Sequence, residues 1–398
     1  MSHKRIAVFG SYNAGSIGDT AILLGLISSI HRLYGDRVIV EVMVARTIDI
    51  NNELKEIGVN FSVNEHVVFA QIDGNGGWVD KARSIYYRLK RKLFNQTIVK
   101  KKKVREVLGK CDVLVVGGGN LIMDLYPAWP PILKEVCEIA RNSSVPYGFL
   151  GVGASPIKTS LGGHVLKECL EGARFVVYRD LYSKKYCEEM IGFYHASVRY
   201  DLAFGIERVR HDRQSVGADS LCVNLASVFS ERWPERDSKK FDDYISGVIK
   251  LVDNLVKYHA LRHVYVFNTN YPLDDIGAQE FLNRMSIHGA EYSVEYMSGK
   301  KTVKEIIDIC SKAKVALVTR LHAGIISSIA GAQVVAIEYQ PKVKDVLSSH
   351  VSNALVLSMD RLVAGGVEDV SVNINNVERN HGYSISSDSV DEMVKEFL

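Results

Sequence analysis

Short β-branched runs alternate with longer amphipathic stretches along the whole chain, and this alternation limits the fold more than any other feature of the sequence. The candidate strands include Val38–Val44, Val67–Gln71 and Val315–Val318, whereas Thr20–Tyr34 and Lys239–Tyr258 have the periodicity of helices. Strands that alternate with helices form parallel sheets that the helices cover on both faces. The sequence therefore predicts an α/β protein.

The alternation pauses once, in a polar stretch at Glu207–Ser220, and then begins again. A chain of 398 residues is longer than one hydrophobic core usually supports, so two domains are expected. We place the boundary in this stretch, which predicts Rossmann-like domains at residues 1–210 and 211–398 that face each other across a central cleft. The last segment, Ser386–Leu398, has the pattern of an amphipathic helix that could pack on either domain or across both.

Composition and cysteine usage argue against several classes of protein. A net charge of +3 is too small to indicate a nucleic-acid partner. The six cysteines are scattered without a C-x-x-C pair, as in proteins of the reducing cytosol, and no metal site is expected because no motif has metal-ligand spacing. The first residues lack the apolar core of a signal peptide, and no apolar run approaches the ~18 residues of a membrane span. The expected location is the cytoplasm.

Glycine-rich turns follow two of the predicted strands. The first, GSYNAGSIGDTAIL at Gly10–Leu23, could bind an anion through backbone N–H groups and the start of a helix, or be a structural loop that places Asp19 near the helix cap. The second, VVGGGNLIMD at Val115–Asp124, could let a ligand approach its adjacent glycines, next to the polar side chain of Asn120. A flexible crossover is the alternative for this run.

Two further strand ends carry cationic side chains, at the edge where α/β sheets bind ligands. Arg179 follows the strand of VVYRDLYS and could bind a carboxylate or phosphate, or form a salt bridge with Asp180 or another neighbour. In VALVTRLHAGIISSIAGAQVVAIEYQPK, one strand leads into Arg320 and His322, and a second strand leads into Lys342. A lone histidine is usually structural, but an arginine beside it at a strand end favours a functional role.

Together these segments resemble the polysaccharide pyruvyl transferase family. The resemblance covers the chain from Gly10 to about Lys342, and the motifs that carry it are the glycine loop with Asn13 and Gly18–Asp19, the GGGN run at Gly117–Asn120, the G-x-G-x-x-P turn at Gly151–Pro156, Arg179–Asp180 with Ser183, the DLAF tetrapeptide at Asp201–Phe204 and the RLHAG…EYQPK block. The loop between Asn13 and Gly18 is longer than the N-x-G-D form of the family, which leaves the roles of Asn13 and Asp19 open.

The resemblance implies a fold similar to the two-Rossmann, GT-B-like glycosyltransferases, with the active site in the interdomain cleft. It also implies phosphoenolpyruvate as the donor substrate, no cofactor, and a cyclic pyruvate ketal on two hydroxyls of a sugar in a bacterial-type surface polysaccharide or exopolysaccharide of the cell envelope. By this resemblance His322 is the catalytic acid, Arg320 and Arg179 hold the donor's carboxylate and phosphate, and Lys342 stabilises the departing phosphate. The resemblance places further substrate-binding residues in the two glycine loops: Asn13, Asp19, Gly118, Gly119 and Asn120.

One segment, residues 81–105, is rich in Lys and Arg, lacks acidic residues and contains interleaved aromatic side chains. A solvated helix face is one explanation. The other is contact with an anionic membrane, to which each Lys or Arg near the surface contributes about 1 kcal/mol. Because the acceptor in such a family is a glycan that is often lipid-linked, the second explanation puts the protein at the inner face of the membrane.

Two other functions are compatible with the same residues. One is a nucleotide-sugar glycosyltransferase or epimerase of the GT-B fold, because a fold does not determine its chemistry. The other is a non-catalytic relative that binds a glycan or a partner, against which the presence of Arg320, His322 and Arg179 argues. The sequence leaves a homo-oligomeric state open.

Overall fold

Two parallel β-sheets, built one after the other along the chain, form the framework of the protein in this computed structural model. The structure describes residues 3–12, 16–69, 99–207, 219–233, 235–289, 291–370, 373–374 and 385–398. Every strand pair in both sheets is parallel. The predicted α/β class is therefore confirmed.

The first sheet is built from eight strands: β1 Lys4–Phe9, β2 Val38–Val44, β3 Asn64–Val67, β4 Val113–Gly117, β5 Asn120–Ile122, β6 Tyr147–Ala154, β7 Val176–Tyr178 and β8 Ser197–Val198. Their order is β3-β2-β1-β4-β6-β7-β8, and β5 pairs with β6. All residues of β4 and β6 are buried. Burial of whole strands is typical of parallel sheets that helices cover on both faces.

The helices of this half are α1 Ile17–Tyr34, α2 Ile50–Glu56, α3 Lys101–Leu108, α4 Trp129–Asn142, α5 Ser160–Glu171 and α6 Leu181–Ile191. Side chains cap three of them, because a short polar side chain at the first position satisfies a free N–H group. Ser16 caps α1, Thr159 caps α5 and Asp180 caps α6. The caps of α1 and α6 fix the starts of the two helices that lie next to the candidate active site described below.

The second sheet contains β9 Ser220–Asn224, β10 His263–Phe267, β11 Ser293–Met297, β12 Val315–Val318, β13 Gln333–Glu338 and β14 Ala354–Ser358, in the order β11-β10-β9-β12-β13-β14. This is the strand order of a Rossmann fold, in which ligands bind where the order reverses, here between β9 and β12. Its helices are α7 Ser238–His259, α8 Asp275–His288, α9 Val303–Ser311, α10 Leu321–Ile329, α11 Pro341–His350 and α12 Met359–Val363.

The two halves share one hydrophobic cluster, in which side chains of α1 pack with those of α10. Ile22 of α1 and Ile325 of α10 are both fully buried in this cluster. Gly25 brings α1 close to the 3₁₀ helix Leu202–Gly205, because a Cβ there would lie 2.0 Å from the carbonyl oxygen of Leu202. The start of α1 and the start of α10 are thereby held side by side.

The last helix, α13 (Ser387–Phe397), packs against α1 of the first half. Arg32 on α1 donates hydrogen bonds of 2.8 Å from both Nε and Nη2 to the carboxylate of Asp391. The strands of the first sheet end at Val198 and those of the second begin at Ser220. The predicted boundary at residues 210 and 211 lies between them but outside the described residues, so it stays a prediction.

Three elements differ from the sequence-based expectation. A strand expected at Val67–Gln71 overlaps the observed β3, Asn64–Val67, at one residue, because this edge strand is polar and half-buried and its pattern is weak. β5 is only three residues long, and most of β14 is half-buried, so neither has the length or burial that marks a strand in sequence.

Most of the basic segment, residues 81–98, lies outside the described residues. Its last part forms the start of α3, where Lys100, Lys101 and Lys102 are exposed and Lys101 forms an ion pair with Glu135. Across the described part of the chain, no helix is both long and apolar enough to cross a bilayer. Within the same ranges, no cluster of His, Cys, Asp and Glu is arranged to hold a metal ion.

Candidate active site

Most of the predicted site residues follow the carboxyl ends of strands in both sheets. Asp19 lies in the first turn of α1, just after β1, and Arg179 directly follows β7. Arg320 and His322 follow β12, and Lys342 lies in the first turn of α11, after β13. Parallel α/β sheets place their ligands at these ends, so the topology alone assembles the residues from distant parts of the chain.

An ion pair between Arg179 and Asp201 forms the buried centre of the site. Nη1 of Arg179 donates a 2.9 Å hydrogen bond to Oδ2 of Asp201, and both side chains are almost inaccessible, at 2% and 0% exposure. The Nε atom of Arg179 lies 3.4 Å from Oδ2 of Asp180. Asp201 itself is fixed by the 2.9 Å hydrogen bond that its Oδ1 accepts from the Ala203 N–H.

His322 reaches across from the second half to this ion pair. Its Nε2 lies 3.4 Å from Oδ2 of Asp201 and 3.4 Å from Nη1 of Arg179. Burial raises the pKa of Asp201, but His322, Arg179 and the Ala203 N–H together hold that pKa well below its ordinary value. Asp201 is therefore a carboxylate that can only accept hydrogen bonds, and it orients the imidazole ring.

Gly18 makes the close approach of His322 possible. A Cβ at Gly18 would lie 2.2 Å from Nδ1 of His322 and 2.8 Å from its Cγ. The ring thus lies directly on the backbone of the first turn of α1, and a side chain at this position would collide with it. This contact gives the predicted Gly18–Asp19 motif a steric reason.

Asp19, the next residue, faces the same group of cations. Burial raises the pKa of its carboxyl, while the charges of His322, Arg179 and Lys342 and a hydrogen bond from Ser16 lower it, and the net shift is upward. Its Oδ1 would be 3.4 Å from a Cβ built on Gly119 of the second glycine loop. The two glycine-rich turns therefore meet at this carboxylate.

The GGGN run has a packing role in addition to any binding role. Gly118 and Gly119 have φ angles of +65° and +75°, which favour glycine, and a Cβ at Gly118 would lie 1.8 Å from Cγ2 of Ile22 on α1. Asn120 donates from Nδ2 to the carbonyl oxygen of Ser155, and among the described residues no group donates a hydrogen bond to its buried Oδ1. The substrate contacts predicted for these three residues stay predictions.

Arg320 is anchored within the second half. Its Nη2 donates a 2.6 Å hydrogen bond to Oδ1 of Asp274, and its Nε lies 3.2 Å from both carboxylate oxygens of Asp274. The guanidinium carbon lies 5.9 Å from the centre of the Trp233 ring, within the range of a cation–π contact. Burial lowers the pKa of Arg320, but Asp274 and Tyr339 outweigh it and keep the group charged.

Lys342 is a second cation on the same side, at the start of α11. Burial lowers its pKa to about 7, and the nearby charges of Arg179 and Arg320 add to this effect. The residue that precedes the helix, Gln340, provides no side-chain cap, so the first N–H groups of α11 are not satisfied by that residue. A cation and a helix start at one place favour binding of an anion.

A cavity of about 480 Å³ opens between the two halves beside these cations. Arg320 and Lys342 line it, together with Asn120, whereas Arg179, His322 and Asp19 are not among its lining residues. The other lining residues come from both halves: Met123, Leu125, Tyr126, Ala154, Ser155, Pro156, Tyr182, Ser227, Ser230, Arg232, Trp233, Asn270, Leu273, Tyr339, Gln340 and Pro341.

The structure thus brings His322, Arg179, Asp19 and Lys342 into one electrostatically coupled group, with Arg320 next to Lys342. Asn13 lies outside the described residues. Asp201, Asp274 and Trp233 are site residues that were not predicted from the sequence. Asp201 had a usable signal, since it begins the DLAF motif, but Asp274 and Trp233 lie in loops whose sequences carry no recognisable pattern.

Comparison with known proteins yields one family and one fold. The model of a family described as polysaccharide pyruvyl transferase matches residues 17–341. A search of curated proteins found no match.

Solved structures similar to this chain include three that were determined with UDP or a UDP-sugar bound. S. aureus MnaA with UDP has a TM-score of 0.57 at 10% identity, over 98% of this chain and 94% of that one. The UDP-GlcNAc 2-epimerase of Neisseria meningitidis, bound to UDP-GlcNAc, has a TM-score of 0.55 at 10% identity, over 99% of each chain. HepE of Anabaena with UDP-glucose has a TM-score of 0.55 at 13% identity, over 99% and 95%. These similarities confirm the predicted GT-B-like fold of two Rossmann-like domains.

Proposed function

Because the chain belongs to the polysaccharide pyruvyl transferase family, we propose that it transfers pyruvate from phosphoenolpyruvate to a sugar of a surface polysaccharide, or of its lipid-linked precursor, as a cyclic ketal. The observation that supports this most is the placement of His322. Its Nε2 contacts a buried carboxylate, Asp201, and a buried guanidinium, Arg179, and the nearby cavity is lined by three further cationic side chains, those of Arg232, Arg320 and Lys342.

The cations of the cavity suit the donor. Phosphoenolpyruvate is small and carries a carboxylate and a phosphate, so a site for it needs at least two fixed positive groups. Arg320 is held rigidly by Asp274 and Trp233, and a rigid guanidinium binds a carboxylate or phosphate with little loss of entropy. Lys342 and the N-terminus of α11 then stabilise the phosphate, first when it binds and again when it leaves.

His322 supplies the acid in this reaction. Protonation of the donor's methylene carbon forms a methyl group and leaves positive charge on the adjacent carbon, which a sugar hydroxyl attacks. The bond from that carbon to the phosphate oxygen then breaks, and a second hydroxyl of the same sugar closes the ketal. A positioned acid typically contributes about 10²–10⁴-fold to such a step.

The ion pair behind His322 has a positioning role. Asp201 accepts a hydrogen bond from the ring and stabilises its positive form, so the histidine retains the proton that the reaction requires. Arg179 holds Asp201 in place and adds positive charge to the region that receives the donor. Arg179 therefore acts on the donor through its charge and not through direct contact.

The test measures binding and turnover separately. Phosphoenolpyruvate, and neither UDP nor UDP-GlcNAc, should raise the unfolding temperature of the protein, since only a ligand of the folded state stabilises it. Phosphate release from labelled phosphoenolpyruvate should require an acceptor from a panel of methyl glycosides and lipid-linked oligosaccharides. His322→Ala should abolish it, and His195→Ala, at an exposed histidine of the first half, should not. Stabilisation by UDP-GlcNAc alone, or full turnover in His322→Ala, would refute the proposal.

A further inference from the structure

Asp19 is an acidic residue in a site otherwise dominated by cations. It lies in the first turn of α1, and Gly18 beside it is in direct contact with the ring of His322. Its Oδ1 would lie 3.4 Å from a Cβ built on Gly119, so the carboxylate also borders the GGGN run. Asp19 and His322 therefore come from opposite halves of the protein and meet at the first turn of α1.

The groups around Asp19 come from four elements. They are Tyr12, before α1, His322 on α10, Arg179 after β7 and Lys342 on α11. Tyr12 donates a 2.9 Å hydrogen bond to the carbonyl oxygen of Gly117, so its hydroxyl is already used. The other three are positive or become positive on protonation, and all three act electrostatically on Asp19, while Asp201 forms the direct ion pair with Arg179.

Ketal formation needs a base as well as an acid, because each attacking hydroxyl must lose its proton. We propose that Asp19 is this base and that it accepts the proton of the first sugar hydroxyl to attack. The inference rests on the proposed pyruvyl transfer and adds a second reacting group to it. His322 and Asp19 then act as an acid and a base that the two halves contribute to one reaction.

The protons and bonds balance over the cycle. His322 gives its proton to the methylene carbon, while the first hydroxyl oxygen bonds to the adjacent carbon and its proton passes to Asp19. The bond to the phosphate oxygen breaks with its electron pair, and Asp19 gives its proton to the departing phosphate, which leaves as HPO₄²⁻. The second hydroxyl oxygen bonds to the same carbon and its proton restores the positive form of His322.

The burial of Asp19 suits this role. Burial raises the pKa of the carboxyl above the ordinary value for an aspartate, against the opposing charges of His322, Arg179 and Lys342. A base whose pKa lies closer to the working pH accepts a proton more readily and releases it again to the leaving group. An exposed aspartate would be a weaker base.

Asp19→Asn separates the base from a donor-binding role. We expect turnover of phosphoenolpyruvate with a methyl glycoside acceptor to fall by about 10²–10⁴-fold. Binding of phosphoenolpyruvate, measured by calorimetry, should become tighter, because a negative group beside the anion is removed. The wild type should show an increase of kcat/KM with pH on the acid side, and this increase should be absent in the variant. Asp36→Asn, at an exposed aspartate of the same half, should retain the wild-type profile.

Two further variants keep the test valid if Asp19→Asn folds poorly. Asp19→Glu should retain the acid-side limb at a reduced rate, and added formate should restore part of the activity of Asp19→Ala but none of the activity of His322→Ala. If Asp19→Asn retains the acid-side limb, or if it binds phosphoenolpyruvate more weakly with kcat unchanged, the inference is wrong while the transferase function stands. If the wild type consumes no phosphoenolpyruvate with any acceptor, the proposed function fails first.

Discussion

Gly18→Ala tests the contact on which the position of the acid depends. A Cβ at this residue would lie 2.2 Å from Nδ1 of His322, whereas ordinary contacts of a Cβ begin at 3.4 Å. The imidazole therefore has to move by about 1.2 Å, and the atoms that block it are at the base of the ring, so no flexible end can turn aside. The displacement would also break the contacts of Nε2 with Asp201 and Arg179, which are already 3.4 Å long.

The expected loss is mainly in the chemical step. A misplacement of about 1 Å at a reacting group can lower the rate by about 10²-fold, which corresponds to about 2.7 kcal/mol in the barrier. Stability should change less, because alanine favours a helix over glycine by about 1 kcal/mol and this offsets part of an overpacking cost of about 1–3 kcal/mol. The variant should therefore fold and bind the donor but turn over slowly.

Steady-state kinetics and thermal unfolding, measured on the same preparations, test this expectation. Gly277→Ala is the matched control, since Gly277 also lies in the first turn of a helix, α8, but a Cβ there would meet nothing closer than 3.4 Å. The control should retain wild-type turnover. Wild-type turnover in Gly18→Ala, with normal folding, would show that the ring of His322 does not need this position, and the argument for it as the acid would fail.

Three further predictions concern charge. Burial lowers the pKa of Lys342 to about 7, so phosphoenolpyruvate binding measured by calorimetry should weaken as pH rises above about 7. Lys342→Arg should remove this pH dependence, because arginine stays charged. Wild-type binding that does not change with pH would contradict the prediction. Asp201→Asn leaves Arg179 buried without its closer counter-charge, which should lower the free energy of unfolding in urea by about 3–5 kcal/mol near neutral pH. Since the pKa of Asp201 is held low, this difference should shrink as pH falls through the acid range; a constant difference contradicts it. We also propose that Lys100–Lys103 contact anionic membranes, so glutamate at these positions should abolish sedimentation with phosphatidylglycerol vesicles; unchanged sedimentation refutes this.

Much of the fold could be predicted from sequence because buried parallel strands have a strong local pattern. Val38–Val44 and Val315–Val318 match their predicted bounds, since each is a continuous β-branched run covered on both faces. The edge strand β3 and the partly exposed β14 lack that pattern, and their position depends on pairing with a neighbour. Local sequence therefore predicts strands that are buried on both faces, but it misses strands whose position depends on pairing with a neighbour.

The site residues also separate into those that local sequence predicts and those that depend on tertiary contacts. Arg320, His322 and Lys342 could be named because each follows a strand end, where the sheet topology places ligands. The partners that fix them could not, because the pairing of Arg179 with Asp201 and of Arg320 with Asp274 depends on loops that meet only in the folded chain. Sequence also could not show that the guanidinium of Arg179 lies behind the histidine and outside the cavity.

The side chains that hold Arg320 and those that orient His322 come from different halves of the protein. Arg320, the proposed anion-binding residue, is held by Asp274 and Trp233, and all three belong to the second half. His322 belongs to the same half, but the groups that orient it, Asp201 and Arg179, belong to the other. If the halves were to separate, Arg320 would keep its partners while His322 lost its contact with the carboxylate of Asp201. The shared cluster of α1 and α10 opposes that separation, and it therefore supports the proposed role of His322 as well as the stability of the fold.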